Sequence, residues 1–301
     1  MVKDTETDTD RRSSSNTTRG IWLMGAGFAA FSCGDLIAKL LTADFHPFQV
    51  VWARQFGVVS VVIVFFVLKG KIIFRSVAPK MQLLRGLCAI ISASCFIFAI
   101  SYVALADAIA VTFAAPFIVT VLGATILGEK VGMRRWIAVL VGFIGTLIIL
   151  RPGADVFHPA IFLVLLASMA FATRQIVSRF IGSRDPTLTT LAYTALTTFL
   201  VLALPMPWYW KTPETLTPVL LMVGLTLFAG LGEFLIIRAL ELADAVVVTP
   251  MHYTLIFYST LWGFLFFGDF PDYWTWLGTF IVIASGIYMH LRETRRQKGL
   301  E

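Results

Sequence analysis

Apolar residues in this chain do not alternate with polar ones; they run in long blocks separated by short polar or Pro/Gly-containing stretches. Ten blocks can be delimited, over residues 20–41, 47–68, 83–102, 106–127, 136–150, 160–181, 186–206, 218–240, 245–267 and 274–291. A helix needs roughly 20 mainly apolar residues to cross about 30 Å of hydrocarbon, so the pattern predicts ten membrane-spanning helices. The fifth block is short, which predicts little tilt or a locally thinned bilayer. The two-residue period of a transmembrane barrel strand is missing. Residues 1–19, with their DTETDTD and SSSNTT runs, read as a flexible tail, and residues 292–301 as a basic one. A secretory signal would begin with a basic region and a shorter apolar core, so no cleavage is expected.

Composition turns the pattern into a class. The 301 residues are 58% hydrophobic and only 14% charged, where a soluble domain carries about 25% charged residues. Too few polar groups remain to cover a soluble surface. An ordinary soluble enzyme, a nucleic-acid-binding module and a disordered chain are thereby excluded. Cys33, Cys88 and Cys95 lie in apolar runs without CxxC spacing and read as small buried side chains.

The net charge of +6 could point to nucleic acid, but the placement of the charges argues for a membrane surface. Nineteen Lys and Arg fall in the tails and in the loops after even-numbered blocks, including Lys69, Lys71, Arg75, Lys80, Arg85, Arg134 and Arg135. The other side holds only Arg151 and Lys211, while Lys39, Arg54 and Arg174 lie inside blocks. By the positive-inside rule both termini are expected in the cytoplasm.

The chain also repeats at half length. Leu105-Ala106-Asp107-Ala108 recurs as Leu242-Ala243-Asp244-Ala245, and Gly128-Glu129 with Trp136 recurs as Gly268-Asp269 with Trp276. Phe31 pairs with Phe171 in the same way, and Lys39 with Arg179. Residues 20–150 and 160–291 thus form two five-helix repeats. Because five is odd, the second must enter the membrane from the opposite side, and such inverted repeats are the signature of secondary transporters. The fold class expected is an all-α membrane protein of ten transmembrane helices in two inverted five-helix repeats.

At this point the sequence resembles the EamA-type members of the drug/metabolite transporter superfamily, over residues 20–291. The matching residues are Phe31, Asp35, Lys39, Gln49, Trp52, Arg54, Ala106-Asp107, Pro116, Leu127-Gly128-Glu129-Lys130, Arg151-Pro152-Gly153, Leu242-Ala243-Asp244 and Gly268-Asp269. The resemblance implies ten helices around a central cavity and alternating access in a bacterial inner membrane. Within the superfamily the pattern is similar to a subgroup that includes riboflavin and S-adenosylmethionine transporters; more distant relatives export amino acids and other metabolites.

Ionisable side chains inside spans are costly and are functional candidates by default. A rise of about 1.5 Å per residue puts Asp35 and Arg54 at similar depth from the outer surface, with Lys39 nearer to it. These three are expected as an outer charge cluster, or as a static ion pair. Arg174, Gln175 and Glu233 share an inner depth, with His252 as a titratable neighbour, and Arg174 and Glu233 as partners. His252 is equally readable as a hydrogen-bonding core residue. Pro116 cannot donate to the Thr112 carbonyl, so the fourth span should kink or expose an acceptor there; Pro250 does the same for Val246. Phe96, Phe98, Phe113, Phe117, Tyr253 and Tyr258 lie near mid-span, where flat faces suit a planar ligand. Ala138 and Gly142 have small-xxx-small spacing, which favours close packing and a homodimer contact.

Gly25-Ala26-Gly27 followed by Ala30 imitates a dinucleotide loop but sits in an apolar run with no preceding strand. No Walker loop, HExxH or Ser-His-Asp elbow occurs, so no cofactor, metal or ATP site is expected and transport must be secondary. Riboflavin uptake is the first expectation for substrate, with S-adenosylmethionine transport or metabolite export as alternatives. An intramembrane lipid-modifying enzyme would need catalytic carboxylates or histidines converging at one surface, which the two-layered polar residues do not provide.

Overall fold

The computed structural model describes residues 3–70, 75–128, 132–150, 158–181, 185–242 and 249–297, and every regular element among them is helical. Among the described residues six helices are long and apolar enough to cross a membrane: Thr17–Leu41, Pro47–Leu68, Pro79–Ile100, Leu105–Ile126, Ile161–Ile181 and Leu216–Leu240. Trp136–Ile149 and Leu188–Ala203 are shorter apolar helices. The motifs at Glu129-Lys130, Arg151-Pro152-Gly153 and Ala243-Asp244-Ala245 lie outside the described residues.

Helix α1 runs Lys3–Leu41. The segment expected as a loose tail therefore continues the helix; it contains no Pro or Gly before Gly20 to break the backbone ladder. Helix α2, Pro47–Lys69, starts on Pro47 with His46 as its cap, whose Nδ1 accepts the Phe48 N–H at 3.3 Å. It stops at Gly70, whose φ of 69° lies in the region that favours glycine. Helix α3 runs Pro79–Ile100, four residues earlier than hydropathy predicted, because Pro79 pre-sets the first turn while Lys80 and Gln82 mask the apolar signal.

Pro116 acts as expected. The fourth apolar segment splits into α4, Leu105–Thr112, and α5, Ala115–Ile126, with Pro116 in the first turn of α5. Helices α6, Met133–Leu150, α7, Ile161–Ile181, α8, Thr187–Ala203, and α9, Met206–Tyr209, follow. Pro205 ends the run that hydropathy extended to residue 206. Helix α10 runs Leu216–Leu242. The ninth apolar block changes winding along its length: a 3-10 turn at Thr249–Tyr253, then α11 at Thr254–Trp262, then a π turn at Gly263–Phe267 that Gly268 closes with φ of 69°. Helix α12, Tyr273–Gln297, completes the chain.

Three long pairings organise the bundle: α1 along α10, α3 along α7, and α6 along α12. Helix α2 joins α10 to α8, and α8 in turn packs on α3. The α1/α10 and α3/α7 pairs meet only lightly, through α1 and α3, and form the two walls of the interior. The core cluster includes Leu41, Val50, Ile97, Ile100, Val111, Phe113, Val164 and Leu225.

Close helix approach depends on missing side chains. A Cβ on Gly57 of α2 would fall 1.9 Å from the Thr226 carbonyl oxygen of α10, so only glycine lets these backbones meet. Gly142 is filled from within the chain: the Phe117 ring occupies the place its Cβ would take, 2.0 Å from the nearest ring atom. The small-residue position thus serves the close packing of α5 on α6. Gly57→Ala should lower stability in detergent by about 1–3 kcal/mol through overpacking, whereas Gly132→Ala, with nothing within 4 Å of the added Cβ, should change little. Thermal unfolding of the two purified variants checks the contrast.

Candidate functional site: a charged interior column

Ionisable side chains from five helices face the interior. Asp35 of α1 is buried and accepts a hydrogen bond from Arg54 Nη1 of α2 at 2.7 Å. The Arg54 guanidinium also lies 5.4 Å from the Phe31 ring centre. Glu233 of α10 lies within electrostatic reach of Arg54, Arg85 and Arg174. Arg85 belongs to α3, where its Nε donates to Ser178 Oγ at 2.8 Å and its Nη1 donates to Thr194 Oγ1. Arg174 of α7 lies 4.7 Å from the Phe171 ring centre, and its Nε is buried without a hydrogen-bond partner among the described residues. Together these groups make a charged column: the Asp35–Arg54 pair, Arg85 and Arg174, with Glu233 within electrostatic reach of all three cations.

Lys39 does not join Asp35. Its Nζ donates to the Val103 carbonyl at 3.0 Å and pairs with Asp269 at 3.4 Å, over the Phe267 ring at 4.5 Å. Asp107, which also attracts Lys39, accepts from Thr275 Oγ1 at 3.1 Å. The expected outer cluster of three is therefore two separate groups. Lys39 snorkels toward the end of its helix, where carboxylates are available. His252 is likewise not beside Arg174. Its ring stacks on Phe28 with centroids 5.0 Å apart and meets Phe113 edge-on at 5.8 Å.

The remaining expected residues divide between core and periphery. Phe113 is 2% exposed, packed on Tyr253, whose hydroxyl rests against Gly286 of α12. Tyr258 is half-buried against Phe257, and Gln175 is half-buried beside Arg174. Phe98 stands away from the column, edge-on to His46 and Phe48 near the start of α2. His46 also stacks on Tyr209 at 4.0 Å, and its burial pulls the imidazole pKa below its ordinary value.

Each end of the bundle is tied across the chain. At the Lys39 end, Gln49 donates to the Lys211 carbonyl at 2.8 Å and accepts from the Lys211 N–H at 2.9 Å. At the opposite end, Asp185 accepts from Ser76 Oγ at 2.5 Å, Val77 N–H at 2.8 Å and Gln82 Nε2 at 2.8 Å. Sequence reasoning missed two of the polar centres. Arg85 was assigned to a loop, although it falls six residues after a helix-starting proline. Asp185 carried no signal, because a lone loop carboxylate looks the same whether solvated or bonded.

Among the described residues every element is helical, six helices are long and apolar enough to cross a membrane, and charged side chains meet between them, which is the arrangement of a membrane transporter. The model of the EamA-like transporter family matches residues 18–151 and again 158–291, and the chain belongs to that family. It is 28% identical over 264 residues to an S-adenosylmethionine uptake transporter of Rickettsia bellii, covering 88% of this chain and 90% of that one. It is 32% identical over 286 residues to a riboflavin transporter of Vibrio cholerae, covering 92% and 94%. A pseudopaline exporter of Pseudomonas aeruginosa is 26% identical over 284 residues, covering 93% and 97%. A solved crystal structure superposes with a TM-score of 0.61 at 19% identity, over 94% of this chain and 99% of that one, a likeness of fold.

Two outcomes follow from this geometry. Arg54→Gln strands the buried Asp35 and should cost about 3–5 kcal/mol, while Asp35→Asn/Arg54→Gln together should cost less than Arg54→Gln alone; a double-mutant cycle by thermal unfolding reads this. At Asp185, burial alone would raise the pKa, but the bonds from Ser76, Val77 and Gln82 hold it below its ordinary 3.8. Its stabilising effect is therefore complete above that value and lost as pH falls through the lower folded one. Asp185→Asn should flatten the acid limb of a stability-against-pH curve and leave its alkaline limb unchanged.

Proposed function

We propose that the chain is a ten-span secondary carrier, built as two inverted five-helix repeats, that moves a small metabolite with a planar ring and a polar end across the cytoplasmic (inner) membrane of a bacterial cell. The observation that carries the reading is the charged column itself. Asp35, Arg54, Arg85, Arg174 and Glu233 come from both halves and gather between the α1/α10 and α3/α7 pairs, which touch each other far less than their own members do. Polar groups at such depth are retained where they line a pathway.

The packing supports the inverted repeat. Exchanging each span for its counterpart in the other half turns the α1–α10 contact into α7–α3, and α2–α10 into α8–α3, all of which occur. The α6–α12 and α2–α8 contacts map onto themselves. Even single contacts obey the exchange. Gly57 against Thr226 becomes, 140 positions later and earlier respectively, Thr197 against Gly86, where a Cβ on Gly86 would fall 2.7 Å from Thr197 Cβ. In this reading the Lys39–Asp269 and Gln49–Lys211 ties close the outer end, and the Asp185 tie braces the cytoplasmic one.

The similarity to riboflavin and S-adenosylmethionine transporters supports these two substrates, and the half-buried, stacked rings of Phe28 and His252 supply aromatic surface one turn along α1 from Phe31. Alternating access is reversible, so the imposed gradients set the direction. Proteoliposomes should accumulate riboflavin or S-adenosylmethionine when a proton or voltage gradient is applied; no movement of either overturns this reading. Cysteines introduced at Asp44 and Asp272 should react with an impermeant thiol reagent in intact cells. Labelling only after lysis would reverse the orientation.

A further inference from the structure

Among the described residues the charges of the column do not balance locally. Arg54 is matched by Asp35, which leaves Glu233 to answer two guanidinium groups, those of Arg85 and Arg174. Arg85 is held by the hydroxyls of Ser178 and Thr194, which fix its position but neutralise nothing. Arg174 has the buried, unpartnered Nε, and its flat face lies on Phe171. A guanidinium presents its donors as a rigid planar fork that matches a carboxylate in two parallel bonds. A buried polar group without a partner is costly, and a bound anion would supply the missing acceptor.

We propose that Arg174, with Arg85 beside it, forms a carboxylate-binding subsite that holds the anionic end of the transported metabolite. Glu233 of α10 lies within electrostatic reach of both arginines, so an ammonium group on that metabolite would meet a carboxylate while its own carboxylate meets Arg174. The subsite thus selects a substrate with an amino-acid end over a neutral ring compound. This inference rests on the transport reading above and chooses between its two substrates.

The test is initial-rate uptake into proteoliposomes of S-adenosylmethionine, its decarboxylated counterpart and riboflavin. Wild-type protein should show a KM for S-adenosylmethionine about tenfold or more below that for the decarboxylated compound, the scale of one charge-assisted hydrogen-bonded contact. Arg174→Gln should raise the first KM by a similar factor and leave the second nearly unchanged. Arg174→Lys, which keeps the charge and loses the fork, should fall between them and shows that the loss is not one of folding. Equal handling of the two sulfonium compounds by wild type, or an equal loss of both in Arg174→Gln, overturns the subsite. Uptake of riboflavin without S-adenosylmethionine also overturns it while leaving the transport reading intact. Movement of none of the three removes both.

Discussion

A charge enclosed by apolar helices must find a partner inside the bundle, because lipid offers none and removing one member of a pair leaves the other at several kcal/mol of penalty. Much of this architecture can be traced to that constraint. Asp35 and Arg54 sit on neighbouring helices at matching depth and meet at 2.7 Å. Glu233, on a third helix, answers the cations of α2, α3 and α7 together. Five helices are thereby held in a fixed relation by groups that none of them could bury alone. The pairing is incomplete at Arg174, and there the interior keeps an unused donor.

Backbone groups obey the same constraint. Splitting the fourth span at Pro116 and rewinding the ninth through 3-10 and π turns frees carbonyls at membrane depth, which is tolerated only beside protein or a polar space. The local answers are visible: Thr112 Oγ1 donates to the Ile109 carbonyl and Thr254 Oγ1 to the Met251 carbonyl, each at 2.6 Å. Both breaks fall where α4 and α11 pack together, beneath the rings of Phe113 and Tyr253. Regular helix would place side chains differently along both segments, so the breaks help decide what faces the interior.

Van der Waals fit supplies what charge pairing does not. Without water between helices, association relies on close packing, and glycines set the distance. At Gly57 the α10 backbone itself, at the Thr226 carbonyl, takes the place of a Cβ, and at Gly86 the Thr197 side chain of α8 does so. Thr226 also donates to the Ala53 carbonyl at 3.1 Å, so one contact provides both fit and hydrogen bonding. Gly142 shows the alternative use of the same residue type, admitting a whole aromatic ring.

Hydropathy is a property of consecutive residues, so the sequence alone determined the membrane class, the positions of most helices and the proline break in the fourth span. Helical rise is equally local, and it was enough to match Asp35 with Arg54 by depth. Depth does not specify rotation about a helix axis or which helix lies alongside, and those belong to the tertiary structure. Lys39 shares a face with Asp35 by spacing, yet reaches Asp269, 230 residues away, because Gly268-Asp269 is brought over the end of α1. Arg85 counts with the loop cations because it stands at the polar edge of the block that opens at residue 83, yet the turns from Pro79 carry it into α3 beside Ser178 and Thr194. Phe98 and Phe113 have the same mid-span reading, but one lies near the start of α2 and the other is sealed in the core. Patterns along the chain fix what must be buried and how deep; only packing in three dimensions decides against whom.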